Sequence, residues 1–275
     1  MTTNDTAPHE VEDHDRGLLY DLPRIVDRRR ALALFGGTAL AALAGCSAAS
    51  TSTGSAATTT AAAAAGGDVD VIPGETAGPY PADGSNGANV LTESGVVRSD
   101  IRSSFGSSTT TAEGVPLTVT LNLVEADGDT PVEGAAVYIW HCNRAGQYSM
   151  YDRGVADENY LRGVQPTAAD GSVTFTSIFP ACYSGRWPHI HFEVYKSVDE
   201  ATAAGQILAT SQLALPEETC SAVYTTTGYE QSVSNLARVS LDRDMVFGDD
   251  GGVSQLATVT GDVTGGYTAT LTVGL

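Results

Sequence analysis

Pro180-Ala181-Cys182-Tyr183-Ser184-Gly185-Arg186-Trp187-Pro188-His189-Ile190-His191-Phe192 is the stretch from which this chain is read. Successive side chains of a β-strand point to opposite faces, so the His-x-His pair puts both imidazoles on one side. Phe192, Val194 and Tyr195 continue with the β-branched and aromatic character of a strand. Two imidazoles on one face make half of a metal site. Oxygen donors that could complete it stand upstream: Tyr183, and Tyr148 in Gly146-Gln147-Tyr148, one strand further back.

Outward from that stretch the chain reads as short strands. Leu117, Val119, Leu121 and Leu123 alternate along a half-buried strand over 117–124. A turn is expected at Gly128-Asp129-Thr130-Pro131, and the next strand at 135–140. Residues 141–163 form a long, polar, tyrosine-bearing excursion that contains Tyr148, and loops of that length are commonly functional. Asp170-Gly171 marks a tight turn before a strand over 172–178. Further strands are expected at 206–215, 255–260 and 267–273. No long stretch carries a helical period. The pattern predicts an all-β protein, an antiparallel β-sandwich with long active-site loops, in one domain over residues 69–275.

The first part of the chain reads as export machinery. Arg28-Arg29-Arg30 precede an apolar run over 31–44 that is too short to span a bilayer. Leu43-Ala44-Gly45-Cys46 closes the run like a bacterial lipobox. The expectation is a twin-arginine signal over residues 1–45, a lipidated Cys46, and a flexible Ala/Ser/Thr/Gly tether over 46–68. The protein is then exported and lipid-anchored at the outer face of the cell membrane.

Fourteen basic and 33 acidic residues give a formal net charge of -19. That balance argues against nucleic acid and against anionic membrane surfaces, and leaves the lipid as the expected membrane contact. Of five histidines, His9 and His14 fall in the leader, so only His141, His189 and His191 remain. A histidine-only metal site is hard to assemble from them. A phenol ionises at about pH 10 in water, so tyrosine ligates at neutral pH only when a strong Lewis acid displaces its proton. Two tyrosines with two histidines therefore suit a hard, trivalent metal.

Gly-x-Tyr, then Pro-x-x-Tyr, then Arg-x-x-His-x-His resembles the ligand set of the intradiol ring-cleavage dioxygenases, with the strongest likeness over 134–212. Glu75-Thr76-Ala77-Gly78-Pro79-Tyr80 is similar to a Gln-Thr-x-Gly-Pro-Tyr stretch of that family. The resemblance implies one non-haem Fe(III) per chain, held by Tyr148, Tyr183, His189 and His191. It implies that Tyr148 is the equatorial tyrosinate and Tyr183 the axial one that gives way to substrate. Arg186 would stabilise negative charge on the substrate ring, Gln212 would line the same pocket, and Thr76 and Tyr80 would touch substrate. The implied partners are a small aromatic diol and O2, both oxygen atoms entering between the two hydroxyl-bearing carbons to give a muconate-type diacid.

Two other readings compete. His189, His191 and Glu193 alternate on one strand face and could form a two-His-one-carboxylate iron(II) triad. The strand pattern also fits a non-catalytic, prealbumin-like binding sandwich on the cell surface. His141 reads as a structural neighbour of the site rather than a ligand. Among the remaining cysteines, Cys182 adjoins Tyr183 and Cys220 follows the strand that bears Gln212, so a Cys182–Cys220 disulfide is expected, with Cys142 free.

Overall fold

The computed structural model describes residues 69–126 and 130–275. The expected leader, Cys46, the tether and the Gly128-Asp129 part of the turn lie outside the described residues.

Among the described residues eight strands make two four-stranded sheets. The first, in spatial order β4-β1-β8-β7, is built from β1 (Pro116–Val124), β4 (Ser172–Ile178), β7 (Thr258–Asp262) and β8 (Gly266–Gly274). The second, β3-β2-β5-β6, is built from β2 (Ala136–Trp140), β3 (Arg162–Pro166), β5 (His189–Tyr195) and β6 (Ile207–Ala214). Every pairing in the second sheet is antiparallel. In the first, β1 pairs β4 antiparallel but β8 in parallel, with Leu117 opposite Tyr267 and Val124 opposite Gly274. The expected sandwich is therefore antiparallel except along one seam.

The core forms where the two inner faces meet. Leu117, Val119, Leu121 and Leu123 of β1 face Val137 and Ile139 of β2 and Ile190, Phe192 and Val194 of β5 in one apolar cluster. The outward threonines of the first sheet, half-buried Thr120 and exposed Thr174, meet across β1 and β4 at 3.1 Å, the usual arrangement of a sheet solvated on one side. The second sheet differs. All residues of β2 and β5 are buried, on both faces. A second apolar cluster covers its outer face, formed by Ala136, Tyr138 and Trp140 of β2, Tyr195 of β5, Ala82, Val90, Leu91 and Val96 of the N-terminal segment, and Tyr148 of the long loop.

Several local features depart from the sequence expectations. The 141–163 excursion ends in a strand, because Arg162 and Gly163 already pair with Trp140 and Ile139. Three short helices stand among the described residues: α1 (Val198–Thr202), α2 (Glu217–Val223) and α3 (Glu230–Leu236). Two turns of helix are too short to show a 3.6-residue period in sequence. The expected Cys182–Cys220 disulfide is not formed: Cys142, Cys182 and Cys220 are free, buried thiols. Each sulfur faces a backbone carbonyl, Cys182 that of Arg186 at 3.4 Å and Cys220 that of Leu215 at 3.9 Å. Burial pushes the Cys182 thiol up to about 12, so it stays protonated in the folded protein.

Candidate metal centre and its surroundings

β5 carries the centre because its period of two sorts chemistry by face. Ile190, Phe192 and Val194 enter the sandwich core, which turns His189 and His191 outward under the covering loops. Hydrogen bonding fixes the register, placing His191 between Trp140 of β2 and Gln212 of β6. The Trp140 ring lies flat on His191, with centroids 4.8 Å apart and planes 5° apart.

The two phenols come from loops. Asn143 Oδ1 accepts the N–H groups of Ala145 and Gln147, an Asx turn that reverses the chain before Tyr148. Gly146 sits in that turn with φ of +83°, and a Cβ there would lie 3.2 Å from the Cβ of Tyr183. The glycine thus lets the two tyrosine loops close on each other. Tyr148 is buried while Tyr183 is half-buried, so Tyr183 is the more accessible of the pair.

Four heteroatoms converge. His189 Nε2 lies 3.1 Å from His191 Nε2, 3.1 Å from the Tyr183 hydroxyl and 3.5 Å from the Tyr148 hydroxyl. The Nδ1–H of His189 donates to the Trp187 carbonyl, which leaves one lone pair on Nε2 for three neighbours. Hydrogen bonding cannot serve that crowd, whereas a cation among the four atoms would. His191 Nδ1 is buried with no partner. Burial holds both imidazoles well below the usual histidine range, with the Arg186 charge adding to it for His189 and the other imidazole adding to it for His191. Both are therefore neutral and have lone pairs to offer. Burial also pushes Tyr148 well above 10 and Tyr183 up to about 12. The protein alone keeps these phenols protonated, so their ionisation requires a strong positive charge in the site. The donor set fits a trivalent metal.

Arg186 lies alongside, only 7% exposed. Its guanidinium donates to Gln212 Oε1 at 2.7 Å and to Asp244 Oδ2 at 3.0 Å. Burial opposes its charge, but the neighbouring Tyr183, Asp244 and Tyr148 outweigh burial and raise its pKa. Gln212 Nε2 in turn donates to the Thr76 carbonyl at 2.9 Å. That bond ties the N-terminal segment to the site, where Gly78, at φ of +71°, passes the His191 ring. The Tyr80 ring packs on Tyr148 with centroids 4.9 Å apart. Thr76, Tyr80, Arg186 and Gln212 thus all gather around the four donors.

Other expectations resolve differently. Glu193 is buried below His191 and accepts from the Tyr195 hydroxyl at 2.7 Å. Among the described residues no group of three or more His, Cys, Asp and Glu side chains could hold a metal, so the two-His-one-carboxylate alternative has no site. His141 hydrogen-bonds Ser177 at 2.7 Å and the Cys142 carbonyl at 2.8 Å, a structural placement. Asp244 escaped the sequence reading. It stands 58 positions from Arg186 in a turn that carries no motif, and only the buried contact reveals it.

A family model described as "Dioxygenase" matches residues 99–210. The matched span includes Tyr148, Tyr183, Arg186, His189 and His191, and excludes Thr76, Tyr80, Gln212 and Asp244. A chlorocatechol 1,2-dioxygenase from Rhodococcus opacus is 41% identical over 54 residues, 20% of this chain and 21% of that protein. A hydroxyquinol 1,2-dioxygenase from Rhizobium sp. (strain MTP-10005) is 34% identical over 71 residues, 26% of this chain and 24% of that protein. The chain thus matches only about a fifth to a quarter of the length of these curated relatives. A solved structure of an intradiol ring-cleavage dioxygenase from Tetranychus urticae superimposes more widely. It has a TM-score of 0.59 and 27% identity, over 74% of this chain and 94% of that one. In sequence over residues 99–210 and in fold over most of its described length, the chain is thus similar to intradiol ring-cleavage dioxygenases.

Proposed function

We propose that the protein is a non-haem iron(III) dioxygenase that cleaves a catechol-type ring between its two hydroxyl-bearing carbons, with Tyr148, Tyr183, His189 and His191 holding the metal. The observation that carries this is the convergence of two phenols and the His191 imidazole within 3.1–3.5 Å of His189 Nε2. Bound iron(III) would supply the Lewis acidity that lets both phenols ionise and that draws electron density from a catecholate.

The rest of the work falls to the chain. The Trp187 carbonyl fixes the tautomer of His189, so that its Nε2 faces the site. Tyr183, half-exposed and 3.1 Å from His189 Nε2, is the phenol that substrate reaches first, and we assign its Oη the exchange of a proton with a substrate hydroxyl. Arg186 keeps a fixed positive charge beside the tyrosine pair, placed to stabilise negative charge that develops on the ring. Trp140, Tyr148 and Tyr80 wall the site with aromatic surface and restrict water.

The test offers catechol, a substituted catechol and a hydroxyquinol to iron-loaded protein under O2. A muconate-type diacid and a red-brown protein support the reading; a yellow semialdehyde or a colourless protein sinks it. Arg186→Ala is expected to keep the colour and lose about 100-fold or more in kcat, since one preorganised charge stabiliser is worth on the order of 3 kcal/mol.

We propose in addition that the chain is exported and held at the membrane by lipid on Cys46. Cys46→Ser would then release the protein from the membrane fraction, and retention there would place the anchor elsewhere.

A further inference from the structure

Asp244 is 2% exposed and has four N–H groups aimed at its carboxylate. Oδ2 accepts from Arg186 Nε at 3.0 Å and from the Trp187 backbone N–H at 2.7 Å. Oδ1 accepts from the N–H groups of Val246 at 2.8 Å and Phe247 at 3.2 Å. The last two bonds lock the carboxylate into its own turn, and the Asp244 carbonyl closes that turn by accepting from Gly248 N–H at 2.8 Å. A carboxylate held this rigidly is a fixed post.

The post is tied to one segment of the site. Arg186 donates from Nε to Asp244 and from a terminal nitrogen to Gln212, so the guanidinium plane is held at two edges. Trp187, gripped through its N–H, offers its carbonyl to His189 Nδ1. The charge that faces the tyrosine pair and the tautomer of one imidazole therefore both descend from the same carboxylate. We propose that Asp244 is a positioning residue for the reaction, acting through Arg186. The inference rests on the ring-cleavage reading above. It adds a partner 58 positions away, outside the span matched by the family model.

Chemistry narrows the test. All four groups facing Asp244 are donors, and an ionised carboxylate only accepts. Asp244→Asn keeps the size but must turn its NH2 toward one pair of N–H groups, which either releases Arg186 and Trp187 directly or breaks the turn that holds the side chain in place. Misplacing a reacting or stabilising group by about 1 Å costs roughly 100-fold in rate.

The experiment is a double-mutant cycle of Asp244→Asn and Arg186→Ala in the iron-loaded full chain. Three readouts are taken: the visible band, anaerobic binding of catechol followed through that band, and turnover. Asp244→Asn is expected to keep the band and to change catechol affinity by less than about threefold, with the loss falling in kcat, by roughly 10–100-fold. In the Arg186→Ala background the same substitution is expected to cost less than about threefold more. Equal losses in both backgrounds, or full activity of Asp244→Asn beside a crippled Arg186→Ala, overturn the anchoring role and leave the ring-cleavage reading standing. Full activity of Arg186→Ala overturns the roles of Arg186 and Asp244 alike and leaves ring cleavage standing, whereas absence of catechol turnover by the parent chain overturns the ring-cleavage reading itself. If Asp244→Asn does not fold, Asp244→Glu, which keeps the charge and displaces it, takes its place in the cycle. Failure of both to fold assigns Asp244 to the fold alone and overturns the proposal.

Discussion

The two faces of β5 are seven residues of one strand put to opposite uses. Inward, Ile190, Phe192 and Val194 close the sandwich core; outward, His189 and His191 meet two tyrosines, with Glu193 and Tyr195 bonded to each other behind them. The inner face is held by dispersion and by removal of apolar surface from water, which tolerate exchange among side chains of similar volume. The outer face is polar yet fully buried. Burying polar groups costs free energy unless each finds a partner, so that face is dictated atom by atom. Comparison with the first sheet sharpens the point. Its outer face remains in water, and its threonines demand almost nothing.

The comparison breaks if the two faces of β5 respond alike to substitution. His189→Ala is expected to give the largest effect, complete loss of iron retention and of the visible band. Metal analysis and absorption of the purified variant decide it, and an iron-loaded, coloured His189→Ala protein would remove the outer face as a metal site. Phe192→Ala, three positions on and facing inward, is expected to cost about 3–5 kcal/mol in denaturant unfolding, while the fraction that remains folded still takes up iron. A variant that unfolds no more easily yet loses its iron would show that the division between the faces is false.

His141 tests the buried polar layer through pH. Burial holds its pKa down at about 4, against 6.5 for an exposed histidine. Between those values the unfolded chain binds a proton that the folded one refuses. The His141 contribution is thus intact above pH 6.5 and declines as pH falls toward 4, by up to about 3 kcal/mol. Glu193 runs the other way: burial raises its pKa to about 7, so as pH rises from 4.5 through 7 the folded state must give up that proton and loses stability. The clean measurement is therefore a difference. The stability gap between the parent and His141→Gln is expected to narrow steadily from pH 7 to pH 4.5, and a gap that does not change with pH would contradict burial of a neutral imidazole.

The smallest effect belongs to the solvated face. Thr120→Ala, which removes the 3.1 Å contact with Thr174, is expected to change stability by less than about 0.5 kcal/mol in the same unfolding assay. A loss of more than about 1 kcal/mol would mean that the outer face of the first sheet is covered in solution.

The sequence by itself determined what is local or periodic. Alternation in 117–124 and around His189-Ile190-His191 is chain geometry written in side chains, so β1, β4 and β5 were legible, as were the histidine pair and the types of donor available. Tertiary structure alone decided the rest. The parallel seam between β1 and β8 joins strands far apart in the chain, and no local pattern records which neighbour a strand will choose. β3 was hidden because Arg162-Gly163 reads as loop until Trp140 and Ile139 lie beside it. The cysteine pairing failed because adjacency to a shared pocket says nothing of where a sulfur points, and each thiol turns to a nearby carbonyl. Asp244 makes the same case from the opposite side. Nothing in Arg243-Asp244-Met245 sets it apart, yet four N–H groups converge on it. A carboxylate buried against donors takes its meaning from the packed chain around it, because desolvation, which makes the pairing obligatory, exists only once the fold has closed.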